Sequence, residues 1–295
     1  MASERVSIGA RIRSGVARVT GVRQLPWIPV LILAALVCIA IFGPILSTHD
    51  PYYPSLPNRL LPPAWVPGGD AQFLLGTDGL GRDMLTRLIY GARVTLIVAL
   101  LALFTGGGAG LMIGIFAGYS GGRIDAIISR AIDATLAFPA ILIALLLAVV
   151  SGPSLQTVII AISLVLWARF ARIMRGEVLS IRELDFIAQA KIDGCSRWRI
   201  IMRHIIPNVL NTFMVLLSLN VGYIILVEAT LSFLGAGIPP PTPSWGSMIS
   251  DGREYIGSAW WISIIPGICI GLVVLAFNLF GDWLRDNLDP KLRQL

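Results

Sequence analysis

Charge is what this sequence has least of. Only 14% of its 295 residues are Asp, Glu, Lys or Arg, against 56% hydrophobic. Soluble domains carry roughly a quarter charged residues, so the deficit excludes water as the solvent for most of the chain and points to lipid. Lysine is nearly missing, with Lys191 and Lys291 the whole complement. No G-x-x-x-x-G-K-[ST] occurs and neither lysine sits beside a glycine-rich turn, so a phosphate-binding loop is excluded. Histidine is as scarce. His49 and His204 are the only two, which excludes H-E-x-x-H zinc chemistry, and no G-x-S-x-G nucleophile elbow is present. Cys38, Cys195 and Cys269 are odd in number and far apart, so neither a disulfide framework nor a zinc site is expected.

What is there is a series of long runs free of charge. A span needs about 20 apolar residues to cross a hydrocarbon core about 30 Å thick, because every backbone polar group must be satisfied within it. Residues 24–48 and 94–122 are two such runs. Residues 134–168 are too many for one span and are broken by Ser151-Gly152-Pro153-Ser154, so they read as a helical hairpin over 127–150 and 155–173. Residues 205–227 and 255–281 complete a set of six spans. The first run is too long for a signal peptide and no small-residue cleavage site follows it, so a retained span is expected.

The arginines orient the spans. With the N-terminus inside, 18 of the 23 Lys and Arg fall in cytoplasmic segments and 5 outside, the latter being Arg59, Arg82, Arg87, Arg93 and Arg253. That bias fits the positive-inside rule with both termini cytoplasmic. It also accounts for the net charge of +6, and a nucleic-acid partner is not expected. Trp260 and Trp261 at one end of the last span, and Trp283 at the other, read as interfacial anchors.

Gly106, Gly110, Gly114 and Gly118 recur every four residues inside the second run. The interval puts them on one helix face, a smooth stripe for close packing rather than a phosphate cradle. Glu228, near the outer end of the fifth run, is the one carboxylate placed to carry protons in an ion-driven transporter; the plainer reading pairs it with a polar neighbour. A secondary carrier, a membrane scaffold and an embedded enzyme are the rival classes. The missing histidines weigh against an enzyme, and no internal repeat of the kind common in carriers is visible.

The segment over 176–208 is too charged to cross and too apolar for a solvated loop. Phe186, Ile187 and Ala190 share one helical face. Gly194 reads as a helix stop and Ser196 as the N-cap of a second short helix, with Trp198, Ile201, Met202 and Ile205 on one side and Arg197, Arg199 and Arg203 polar. Pro207 marks the entry to the fifth span. Two amphipathic helices thus meet at a glycine elbow. By periodicity they either lie on lipid headgroups or insert into a groove of a partner protein.

The elbow resembles the EAA loop of ABC importer permeases, in which E-A-A-x-x-x-G is followed about a dozen residues later by proline. Here Ala188-Gln189-Ala190, Gly194 and Pro207 take those places, with the glutamate and first alanine replaced. The resemblance extends to Leu75-Gly76-Thr77-Asp78-x-x-Gly81-Arg82-Asp83 with Arg87, Gly91 and Arg93; to Glu228-Ala229-Thr230-Leu231-Ser232-Phe233-Leu234-Gly235 with Pro240-Pro241-x-Pro243-Ser244-Trp245-Gly246; and to Phe277-Asn278-Leu279-x-Gly281-Asp282-x-Leu284-Arg285-Asp286-x-Leu288-Asp289-Pro290. In order and spacing these are similar to dipeptide, oligopeptide and nickel permeases, and among them to the C-type subunit.

The resemblance implies an all-α membrane protein of the type I ABC importer permease fold in the bacterial inner membrane, without enzymatic activity of its own. It implies a second, dissimilar permease, two ATPases that bind the Mg-ATP, and an external solute-binding protein as partners, with no cofactor or metal in this chain. The expected division is a cytoplasmic arm over 1–26, the first span and external segment over 27–92, a core over 93–283 and a cytoplasmic tail over 284–295. Asp185, Phe186, Ala190, Gly194, Ser196 and Arg197 are expected to couple to the ATPase. Pro239, Pro240, Pro241 and Trp245 are expected to meet the binding protein, with a mere turn as the other reading of that stretch. The cargo that the resemblance implies is a peptide or a related small solute.

Overall fold

The computed structural model describes residues 25–288; the expected arm before residue 25 and the end of the tail lie outside that range. Among the described residues the regular structure is helical, apart from one isolated bridge between Thr77 and Asp83. Five helices among the described residues are long and apolar enough to cross a membrane: α1 (Trp27–Leu46), α2 (Met84–Ser120), α5 (Leu155–Arg182), α7 (Arg197–Phe233) and α9 (Trp261–Leu288). Between them lie α3 (Gly122–Ala137), α4 (Ala140–Ser151), α6 (Asp185–Ile192) and α8 (Trp245–Gly252).

Three features differ from the charge-free runs. First, α2 begins at Met84, well before residue 94. Asp83 caps it, with Oδ2 accepting from the Thr86 backbone N–H at 2.8 Å. The early turns escaped notice because they carry Arg87 and Arg93, and Arg87 is in fact buried at 3% exposure. A division at residue 92 therefore falls inside a continuous helix.

Second, the expected span over 127–150 is two helices, α3 and α4, bent by 83°. Pro139 is the cause: it has no N–H to give, and it pushes Phe138 out of the helical region to φ −90°, ψ 138°. The count is six spans only if this bent pair is taken as one. Its polar arm, α3, is fastened along the C-terminal half of α5 by Asp125–Arg175 and Asp133–Arg172 ion pairs.

Third, the second amphipathic helix is not separate. Arg197 to Phe233 runs on as one helix, with a π turn at Ile201–Ile205. Pro207 lies within it rather than at its start. The wide turn stands just where proline withholds an N–H, which lets the helix continue.

The glycine stripe does what its spacing suggests. A Cβ on Gly106 would stand 2.8 Å from the Ser163 Cα, on Gly110 2.5 Å from the Phe170 Cβ, on Gly114 2.7 Å from the Ala171 carbonyl and on Gly118 2.8 Å from the Val178 Cβ. Backbone-to-backbone approach along the whole α2–α5 seam thus depends on the absence of side chains. The core built on this seam includes Val98, Ala102, Leu166 and Phe170 with Ile224 and Ile225 of α7. Helix α1 leaves Ile28, Leu31, Ile45 and Leu46 outward, as a lipid-facing helix does.

Candidate functional site

The knuckle formed by α6 and the start of α7 has a buried root and a bare crown. Ile187 and Ala190 of α6 are buried at 0% and 6%, and with Ile200, Ile205 and Val209 of α7 they pack on Met174, Val178 and Ile181 of α5 and Ile115 of α2. The elbow is closed by backbone bonds, Gly194 N–H to the Lys191 carbonyl at 3.1 Å and Cys195 N–H to the Ala190 carbonyl at 3.0 Å. Gly194 has φ +75°, a left-handed geometry that a side chain disfavours. Ser196 caps α7, its Oγ accepting from the Arg199 N–H at 3.3 Å. The N-cap and glycine stop were legible in the sequence; the buried face was only partly so.

Outward stand Asp185, Phe186, Gly194, Ser196 and Arg197, so five of the six residues expected to couple are exposed and Ala190 belongs to the root. Phe186 lies beside His204, ring centroids 6.1 Å apart. Sequence reasoning missed the two barest apolar side chains of the crown as such: Ile192 is 79% exposed and Trp198 67%. With Leu184, Phe186 and Met202 they leave an uncovered apolar surface bordered by Arg197, Arg199 and Arg203.

At the other end of the spans, the segment between α1 and α2 folds into a cap held by a buried charge cage. Asp78, 1% exposed, accepts from the backbone N–H groups of Leu80 at 2.8 Å and Arg82 at 3.0 Å, from Arg82 Nε at 2.7 Å, and from Arg87 Nη1. Arg87 reaches on to Asp251 of α8 at 3.3 Å. Gly81 has φ +76°, and a Cβ there would collide with the Ser55 carbonyl. Burial raises the Asp78 carboxyl pKa, but Arg87, Arg82 and the two backbone N–H groups outweigh it, so the group lies below its usual range.

Two tryptophans belong to this cap rather than to a surface. Trp245 is 3% exposed, donates from Nε1 to the Leu88 carbonyl at 2.9 Å, and sits so close to Gly91 that a Cβ there would meet its ring at 2.8 Å. It is committed inside the chain, while Pro239, Pro240 and Pro241 remain exposed beside a cavity of about 250 Å³ lined in part by Val94, Leu155 and Thr242. Trp261, read as an interfacial anchor, is 4% exposed and donates to the Thr77 carbonyl at 3.0 Å. Glu228 is 1% exposed and accepts from the Ser232 hydroxyl at 2.8 Å, with the Ser244 hydroxyl 3.4 Å beyond. A polar neighbour therefore does hold it, at the join between α7 and α8.

Residues 110–294, from the glycine stripe through knuckle and α9, match the family model described as binding-protein-dependent transport system inner membrane component. The chain belongs to this family. It is 43% identical over 270 residues to the dipeptide transport system permease protein DppC of Alkalihalophilus pseudofirmus, covering 92% of this chain and 87% of that one. It is 40% identical to the di/tripeptide transport system permease protein DppC of Pseudomonas aeruginosa, over 89% and 87% of the two chains. A probable D,D-dipeptide transport system permease protein of Escherichia coli is 39% identical over 88% and 86%. Among solved structures, an inward-facing MetNI methionine ABC transporter chain matches with TM-score 0.60 at 17% identity, covering 70% of this chain and 98% of that one. The fold is that of the type I ABC importer permeases. As a family member the chain is a multi-pass inner-membrane transport component and not an enzyme, and both the knuckle and α9 lie within the matched region.

Proposed function

We propose that this chain is one of two dissimilar permeases of an ATP-driven importer, taking up di- or tripeptides delivered by an external solute-binding protein. Two separate ATPases bind the Mg-ATP and seat the crown of the knuckle. The observation that carries this reading is the division of the knuckle. A rigid, buried root ties α6 to α2, α5 and α7, and an uncovered apolar crown faces away from them. A lipid-lying pair of helices needs no such root. A docking element does, because closure of the ATPases at the crown then displaces three spans together. The peptide class is taken from the relatives, and the exposed prolines 239–241 are offered as a contact for the binding protein.

The test is reconstitution. The purified chain alone should show no ATP hydrolysis above background, and peptide uptake should appear only when the second permease, both ATPases, the binding protein and ATP are all present. Vanadate-sensitive hydrolysis by the lone chain, or uptake driven by a proton gradient with ATP absent, overturns the reading. We expect both termini in the cytoplasm, because most of the Lys and Arg that lie outside the spans fall in the segments on that side. Reporter fusions at Pro63, Pro153 and Pro241 should read outside and those at Gly194 and Leu295 inside; an outside reading at Leu295 defeats the orientation.

A further inference from the structure

Arg169 stands on α5 about 21 Å from the outer end of that helix at Leu155, at 1.5 Å per residue. Tyr223 stands on α7 about 15 Å from its outer end at Phe233. Both depths fall within a hydrocarbon core about 30 Å thick. The Arg169 guanidinium carbon lies 4.5 Å from the centroid of the Tyr223 ring, a cation–π contact that holds the group across the α5–α7 seam. Even so, Arg169 is exposed. The other arginines of α5 are engaged: Arg172 with Asp133, Arg175 with Asp125, and Arg182 with Glu183 and the Gly118 carbonyl. Glu177, two turns further in, accepts from the Thr212 hydroxyl at 3.3 Å. Among the described residues no carboxylate lies within ion-pair distance of Arg169. A guanidinium lying over a ring is occupied on its face and free at its N–H edge.

A charged side chain at this depth is costly against lipid, and in membrane proteins such groups face the bundle interior or a water-filled path. We propose that Arg169, positioned over Tyr223, is a carboxylate-binding point in the translocation path, where it engages the carboxylate of the passing peptide. The proposal rests on the importer reading above and names the chemistry of one point within it. The forked N–H edge matches a carboxylate in geometry and charge. A single cation also binds weakly enough to release, which a conduit requires.

The experiment uses the complete importer in proteoliposomes, with Cys38, Cys195 and Cys269 replaced by serine. Arg169→Gln is expected to lower maximal uptake of a dipeptide about tenfold or more, the loss of one charge-assisted hydrogen bond. Arg169→Lys should restore most of the uptake, and Arg169→Glu should fall below Arg169→Gln. In the assembled complex, Arg169→Cys should react with an anionic, membrane-impermeant methanethiosulfonate. Normal uptake by Arg169→Gln overturns the proposal, as does absence of labelling, which places the side chain against lipid or protein. Loss of the second permease from the Arg169→Gln complex also overturns it, making Arg169 a subunit contact. Failure of the wild-type control to take up peptide with ATP is a separate result, and it sinks the importer reading instead.

Discussion

Replacing Asp78 by alanine is expected to lower the melting temperature of the detergent-solubilised chain by roughly 10 °C, the largest effect of any single change outside the spans. Asp78 is 1% exposed and its carboxylate is the common acceptor of two backbone N–H groups and two arginines, of which Arg87 is itself 3% exposed. Removing one partner of a buried ion pair leaves the other charge buried and uncompensated, a loss of about 3–5 kcal/mol. At about 2–4 °C per kcal/mol for a domain of this size, that gives the stated shift. Asp251→Ala should cost far less, because Asp251 is 43% exposed and meets Arg87 only at 3.3 Å. Acidity should discriminate the cause. The Asp78 carboxyl is held below its usual range, so its contribution is complete above the unfolded pKa of about 3.9 and is lost as pH falls through the lower folded value. Wild-type melting should therefore be flat from about pH 5 to 8 with respect to this group and fall in stronger acid, and Asp78→Asn should lack that part of the fall. Equal melting of wild type and Asp78→Ala at pH 7 refutes the cage as a stabilising element.

That cage also marks the limit of what the sequence discloses. The motif around Asp78 is recognisable by resemblance, but no periodicity encodes that Asp78 is buried against Arg82 and Arg87, or that Arg87 reaches on to Asp251, 164 residues away. The same burial hid the first turns of α2, since a neutralised arginine still reads as a charge. Proline misled in both directions. Pro139 breaks a run that looked continuous, because nothing on the apolar sequence around it signals the bend. Pro207 looked like a boundary and is absorbed by a π turn. Trp245 shows a different limit: an aromatic in a proline-rich loop reads the same whether its ring meets a partner or fills a slot above Gly91. The glycine stripe and the Gly194–Ser196 elbow were legible, because each depends on local spacing and local backbone geometry alone.

The sharpest test of coupling lies at the crown of the knuckle. Trp198→Glu together with Phe186→Glu is expected to release the ATPases from the purified complex while the chain stays inserted in the membrane. Trp198 is 67% exposed and Phe186 42%, so neither belongs to the buried root. Exposed aromatics that fill a partner's pocket are the residues on which interface energy concentrates, commonly 2 kcal/mol or more each, about a thirtyfold change in affinity apiece. Ile187→Ala should act otherwise, loosening the root and lowering the stability of the chain itself, because Ile187 is buried at 0%. Gly194 offers a graded control. A side chain there would meet nothing within 4 Å, and the φ of +75° is the only obstacle. Its cost is thus conformational, about 1–2 kcal/mol for valine and less for asparagine, which tolerates the left-handed region. Docking should weaken in the order Gly194→Asn, then Gly194→Val, then the double glutamate variant. Cys195, half-exposed at the elbow, reports the outcome directly. In inside-out vesicles stripped of ATPase, a membrane-impermeant maleimide should label Cys195, and restoring the ATPase should protect it in the wild type but not in the double variant. Equal labelling of the wild type with and without the ATPase sinks the docking assignment and returns the two helices to the lipid surface.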